Sequence, residues 1–135
     1  GGSDAGAHLD RMCGARYPTA LLGDVVRQRQ LIPLEEAVHL ITDAPARYFG
    51  LKERGRIALG WHADLVLFDP QTVAAGRITS VADLPGNTDR LFCEARGIEH
   101  VLVNGVEIVR SGKQTGNLPG RLMRSGRDTE TVTVS

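Results

Sequence analysis

Apolar and polar positions follow one rhythm in the first third of the chain and another in the rest. Residues 1–17 carry neither: small residues, Gly14 and Tyr17-Pro18 predict a loop. From Thr19 the apolar positions Leu21, Leu22, Val25, Val26 and Leu31 recur at helical spacing, with Arg27 to Gln30 toward the end. A helix over 19–30 follows, with Pro18 and Thr19 where first-turn and capping residues sit and basic residues at the negative end of the helix dipole. Pro33 restarts the chain. Glu35 and Glu36 suit a first turn, and Leu34, Ala37, Val38, Leu40 and Ile41 form an apolar stripe, predicting a second helix over 34–41. Asp43-Ala44-Pro45 predicts a break and a new cap, and 46–49 a short helix stopped by Gly50.

After Lys52-Glu53-Arg54-Gly55 the pattern changes. Residues 63–70 hold a continuous apolar run, Leu65 to Phe68, bounded by Asp and Pro, as expected of a buried strand. Residues 71–97 are less regular, with Pro85-Gly86-Asn87 as a turn signal. Val101 to Val103 and Val106 to Val109 flank Asn104-Gly105, whose tolerance of positive φ makes a two-residue hairpin the expectation. Gly112, Gly116, Pro119 and Gly120 mark an extended, turning segment, and residues 126–135 are polar and expected to be mobile.

Composition narrows the class. Sixteen basic residues balance sixteen acidic ones, and aromatics are 4%, so neither a basic nucleic-acid face nor a stacking platform is expected. No apolar run approaches the roughly 20 residues of a membrane span, and no signal-peptide layout opens the chain, which leaves a cytoplasmic location as the expectation. Cys13 and Cys93 lie too far apart in sequence for a knuckle and read as small buried or half-buried thiols.

Gly1-Gly2-Ser3-Asp4-Ala5-Gly6-Ala7-His8 is the candidate site. A glycine pair delivers one carboxylate, and small residues then let the backbone pass close to whatever that carboxylate serves. With no initiator Met and no capping residue ahead of it, the expectation is a chain whose catalytic partners lie upstream. No HxH, HExxH or other chelating pair occurs, and one carboxylate cannot supply the three protein ligands usual for catalytic zinc. The chain alone is therefore expected to be inactive and to hold no stoichiometric metal. His39 reads as a packing or surface residue, His62 as an exposed turn residue and His100 as structural. Arg47 belongs to a short helix end, Arg54 to an ion pair with Glu53 or another acid, and Arg121 to Arg124 to docking of the tail.

Ser3 to His8, Leu34 to Val38, Pro45-Ala46-Arg47, Gly50-Leu51, Arg54 to Ile57, Gly60 to Val66, Val103 to Val106 and Thr115 to Leu122 together resemble the C-terminal third of the metal-dependent amidohydrolases. Within them the D-aminoacylase (N-acyl-D-amino-acid deacylase) branch is the most similar, over residues 1–124. The resemblance implies an α/β plus β fold: the last unit of a (β/α)8 TIM-like barrel in residues 1–51, part of a small β-sandwich in 52–125, and a flexible tail in 126–135. It places Asp4 at the end of the eighth barrel strand, touching the metal or its water and moving protons. It implies one or two zinc ions in the parent enzyme, with metal histidines from earlier strands, leaving Ser3, Gly6 and His8 as pocket residues. The implied substrate is a small N-acyl amino acid, and the implied partner is the missing N-terminal part or a self-association partner. Two alternatives remain: a non-catalytic β domain for binding or assembly, and a hydantoinase-like cyclic amidohydrolase.

Overall fold

The structure, a computed structural model, describes residue 3 and residues 5–133. It divides into two compact units, each discontinuous in sequence: residues 1–33 with 69–97, and residues 34–68 with 98–135.

The first unit opens with a loop and a single 3-10 turn at Gly14–Arg16. Helix α1 (Tyr17–Ala20) runs on into a π-helical stretch, Leu21–Gln28. The helix starts two residues earlier than the apolar spacing predicts. Pro18 sits in the first turn, where its missing N–H costs nothing. Thr19 does not cap from its side chain; its hydroxyl donates to Arg16 O at 3.1 Å. Wider turns at the end bring Arg29 N–H back to Asp24 O, five residues away. Leu22 and Val73 supply the buried apolar side chains of this unit, and the Arg27 guanidinium donates to Val73 O at 2.6 Å.

A long antiparallel hairpin completes it. Strands β2 (Ala74–Leu84) and β3 (Thr88–Arg96) flank a 3-10 turn, Pro85–Asn87. The turn falls where the sequence predicts it, but 71–97 is far more regular than expected. Register shifts between Ala75 and Ile78 and between Val81 and Leu84 break the strand alternation. Its apolar residues Ala75, Ile78, Val81 and Leu84 consequently fall three apart, a spacing that conceals a strand. Ahead of the hairpin, Asp69 accepts from the Gln71 N–H and the Thr72 hydroxyl, both at 2.8 Å, closing the turn that follows Phe68.

The second unit holds α2 (Leu34–Ile41), at the predicted bounds, and α3 (Asp43–Tyr48), which takes in the residues expected to be a break. Pro45 is tolerated because it lies in the first turn of α3, where no intrahelical N–H is needed. Gly50 ends the helix at φ 62°. Its N–H returns to Arg47 O at 3.0 Å and the Leu51 N–H to Ala46 O at 2.8 Å, the paired bonds of a Schellman cap. Ala37 and Ala46 are the buried apolar residues here.

A four-stranded antiparallel sheet in the order β1-β4-β5-β6 makes up the rest: β1 (Leu65–Phe68), β4 (Ile98–Val103), β5 (Val106–Arg110) and β6 (Lys113–Gln114). Strand β1 forms where the apolar run predicts it but is not buried: Val66 is 53% and Leu67 51% exposed. The β4–β5 turn is the predicted one, with Asn104 at φ 50° and Gly105 at φ 78°. Residues expected to form a free tail carry hydrogen bonds. Lys52 N–H donates to Asp128 O, Glu130 N–H to Gly50 O, and Leu51 bridges Thr129. Among the described residues no helix is long and apolar enough to cross a membrane.

Candidate active site

Asp4, the proposed catalytic carboxylate, lies outside the described residues. The pocket candidates around it belong to an exposed, turning loop. Ser3 Oγ accepts from the Ala5 N–H at 3.3 Å, Gly6 takes φ 116°, and His8 takes φ 50°. His8 O accepts the N–H groups of Arg11 and Met12, each at 2.9 Å, so a closed turn follows the glycine-rich stretch. Positive φ places His8 in the left-handed region, which His enters more readily than most non-glycine residues. Leu9 O then accepts the Leu91 N–H of β3 at 2.7 Å.

The remaining histidines are dispersed. His39 stands 3.6 Å from Asp43, beside α2 and α3. His62, expected to be exposed, is half-buried, with its N–H on Glu53 O. His100 hydrogen-bonds Glu107 across β4–β5. Both cysteines are half-buried and unpaired, and the Cys93 thiol donates to Gly76 O at 3.2 Å. Among the described residues no three His, Cys, Asp or Glu side chains gather as a metal would need. The described residues therefore do not make up a complete zinc centre.

The densest polar clusters lie in the second unit. Asp43, almost buried, receives Arg47 at 2.8 Å and Arg56 at 3.1 Å, and Arg56 also stacks over Trp61 at 4.9 Å. Arg54, with only 14% of its side chain exposed, pairs with Asp64 and donates to Asn104 Oδ1 at 2.8 Å. Asn104 in turn takes Asp64 Oδ1 on its backbone N–H at 2.8 Å and donates Nδ2 to Pro119 O at 2.9 Å. Sequence reasoning placed Asn104 only as a turn residue and left Arg54's partner open. Neither link has a local signal, since the partners stand 50 and 10 residues away. A cleft of about 230 Å³ beside this network is lined by Lys52, Arg54, His62 and Arg121, with Arg54 already matched by Asp64.

Electrostatics follow these contacts. The His100 and Arg110 hydrogen bonds hold Glu107 below the usual carboxylate range. Asp128 is lowered by the Arg127 side chain and then by the Arg124 N–H, and Asp83 by Arg90. Asp69 is lowered by the Gln71 N–H and then by the Thr72 hydroxyl. All four are structural turns and ion pairs.

A family model described as the amidohydrolase family matches residues 1–109, and the chain belongs to that family. Among individual proteins it is 42% identical over 106 residues to the N-acyl-D-glutamate deacylase of Alcaligenes xylosoxydans xylosoxydans, covering 78% of this chain and 20% of that one. It is 38% identical over 124 residues to the D-aminoacylase of the same organism, covering 90% of this chain and 24% of that one. A solved structure of the N-acyl-D-glutamate deacylase of Bordetella bronchiseptica, complexed with zinc and a phosphonate mimic of the tetrahedral intermediate, superposes with a TM-score of 0.52. There the identity is 44%, covering 67% of this chain and 17% of that one. The chain spans about a fifth of the length of the curated relatives it matches.

Proposed function

We propose that the chain is the C-terminal portion of a metal-dependent amidohydrolase that cleaves the linear amide of an N-acyl-D-amino acid into a carboxylate and an amine. The observation that carries this reading is the family match over residues 1–109, from the Asp4 loop into strand β5. In it, residues 1–51 are the last barrel unit, 52–125 part of a β-sandwich and 126–135 a tail. That division describes the plan of the whole enzyme and not the compact units of this chain. Exposed apolar side chains support a larger parent body: Ile57 is 90%, Leu59 102% and Leu118 94% exposed. Each would gain about 1.5–3 kcal/mol if fully covered.

Asp4 is assigned as general base and then general acid. It takes one proton from the attacking water and passes it to the departing nitrogen as the C–N bond breaks. Help of this kind is worth about 10²–10⁴-fold. Asp4 is the one metal-contacting side chain that this chain contributes, and Ser3, Gly6 and His8 line the pocket. Zinc, one or two ions, is assigned to the parent, with its remaining ligands in the other four-fifths.

The test is turnover by the intact enzyme. Release of free D-amino acid from N-acetyl-D-glutamate or another N-acetyl-D-amino acid, lost on chelation and restored by zinc, supports the reading. Failure to hydrolyse any N-acyl-D-amino acid, with turnover of a cyclic ureide instead, moves the chain to the hydantoinase-like alternative.

A further inference from the structure

Of the three asparagines in the chain, Asn104 is the one followed by glycine; Asn87 and Asn117 precede Thr88 and Leu118. An Asn-Gly pair carries a chemistry of its own. The glycine nitrogen, once it has given up its proton, attacks the Asn Cγ and closes a five-membered succinimide. The Cγ–Nδ2 bond breaks and ammonia leaves. Water then opens the ring to Asp or isoaspartate, so water is consumed and no oxidant or reductant is needed. Glycine is the most permissive follower because it has no Cβ to crowd the attacking nitrogen. Crowding from elsewhere is slight: apart from its chain neighbours, a Cβ on Gly105 would have the Ala63 Cβ at 3.9 Å as its nearest described contact. Gly105 is also exposed to water.

Hydrogen bonds, not crowding, occupy the reacting groups. The Gly105 N–H, which holds the nucleophile, donates to Ala63 O at 2.9 Å. Asn104 Nδ2, the leaving group, donates to Pro119 O at 2.9 Å, and Oδ1 accepts from Arg54 at 2.8 Å. The Asn104 backbone N–H donates to Asp64 Oδ1 at 2.8 Å, and Asp64 pairs with Arg54. Reaction needs a bare Gly105 nitrogen and a carboxamide free to turn toward it, so the bonds to Ala63, Arg54 and Pro119 must open first. We infer that Asn104 is a latent modification site, a succinimide-forming asparagine that these hydrogen bonds keep unreactive in the folded chain. Modification undoes its own surroundings. Asp at 104 sets an oxygen against Pro119 O where Nδ2 donated, and isoaspartate adds one carbon to the backbone of the β4–β5 turn.

Peptide mass mapping of the intact enzyme, incubated at mildly alkaline pH, reads the conversion of Asn104 to Asp or isoaspartate. Reaction proceeds from the opened state, so its rate follows the open fraction. The folded enzyme is expected to convert at least about tenfold more slowly than the same chain in concentrated urea. Arg54→Met removes the donor to Oδ1 and is expected to convert about fivefold or more faster than the wild type under folding conditions. Val73→Ala is the comparison. It weakens a buried apolar contact outside the network and should stay within about twofold of the wild type. The melting transition of each variant checks that it is folded. Equal conversion in the folded and urea-treated chains overturns the inference, and that comparison depends on no variant folding. An Arg54→Met rate equal to the wild type also overturns it. So does a Val73→Ala rate matching that of Arg54→Met, because global unfolding would then be the whole of the protection.

Discussion

Asn104 does more at the β4–β5 turn than supply a left-handed residue. Its side chain joins Arg54 to Pro119 O, and its backbone N–H donates to Asp64, so four segments meet at one residue. The Asn-Gly turn itself was legible, because positive φ at both positions is a local property of those two residues. The network was not, because it depends on where distant residues return. Two variants separate these roles. Gly105→Val strains a φ of 78° and should cost roughly 1–3 kcal/mol in a urea melt. Asn104→Gly keeps the turn but leaves the nearly buried Arg54 and Pro119 O with fewer partners, for a loss of roughly 1–3 kcal/mol. An unchanged midpoint in the first contradicts the strained turn, and in the second the network.

At the level of elements, helices were easier to read than strands. The stripe from Leu34 to Ile41 has a single period and no interruption, so its bounds match. Strand β2 carries two register shifts, and each resets which face an apolar residue occupies, so its period disappears. The cap of α3 was visible as Gly50, but its second duty was not. A Cβ on Gly50 would clash with Glu130 O, in the segment that bridges Leu51 to Thr129. Gly50→Ala therefore meets a strained φ and a backbone clash together. It should cost more than the roughly 1 kcal/mol of an ordinary left-handed alanine and should free residues 127–130. Faster amide exchange at Lys52 and Glu130 is the expected readout, and unchanged protection at both contradicts it.

For the whole molecule, paired carboxylates set how stability responds to pH. Among the described residues, Leu22, Ala37, Ala46 and Val73 are the buried apolar side chains. Glu107, Asp128, Asp83 and Asp69 all have lowered pKa values in the folded state. Their contribution is complete above the ordinary carboxylate range and is lost as pH falls through the lowered values. Thermal stability should therefore change little for these groups from about pH 7 to about pH 5 and fall below about pH 4. Glu107→Gln should make that acid loss shallower. A profile that rises on acidification contradicts this account.

The candidate site was legible in one respect and opaque in another. The order of blocks around Ser3 to His8 pointed to the amidohydrolases, and the family match bears that out. How the loop is held was opaque, since Leu9 meets Leu91 only through the fold. The most direct test of the central claim is kcat for Asp4→Asn in the intact enzyme acting on an N-acetyl-D-amino acid, measured with metal content and melting temperature. Asn keeps the shape of Asp but cannot take the water's proton. The account predicts a loss of about 10²-fold or more in kcat, with a smaller change in KM and most metal retained. A variant that keeps more than about a tenth of the wild-type kcat contradicts it, because a general base is worth far more than that.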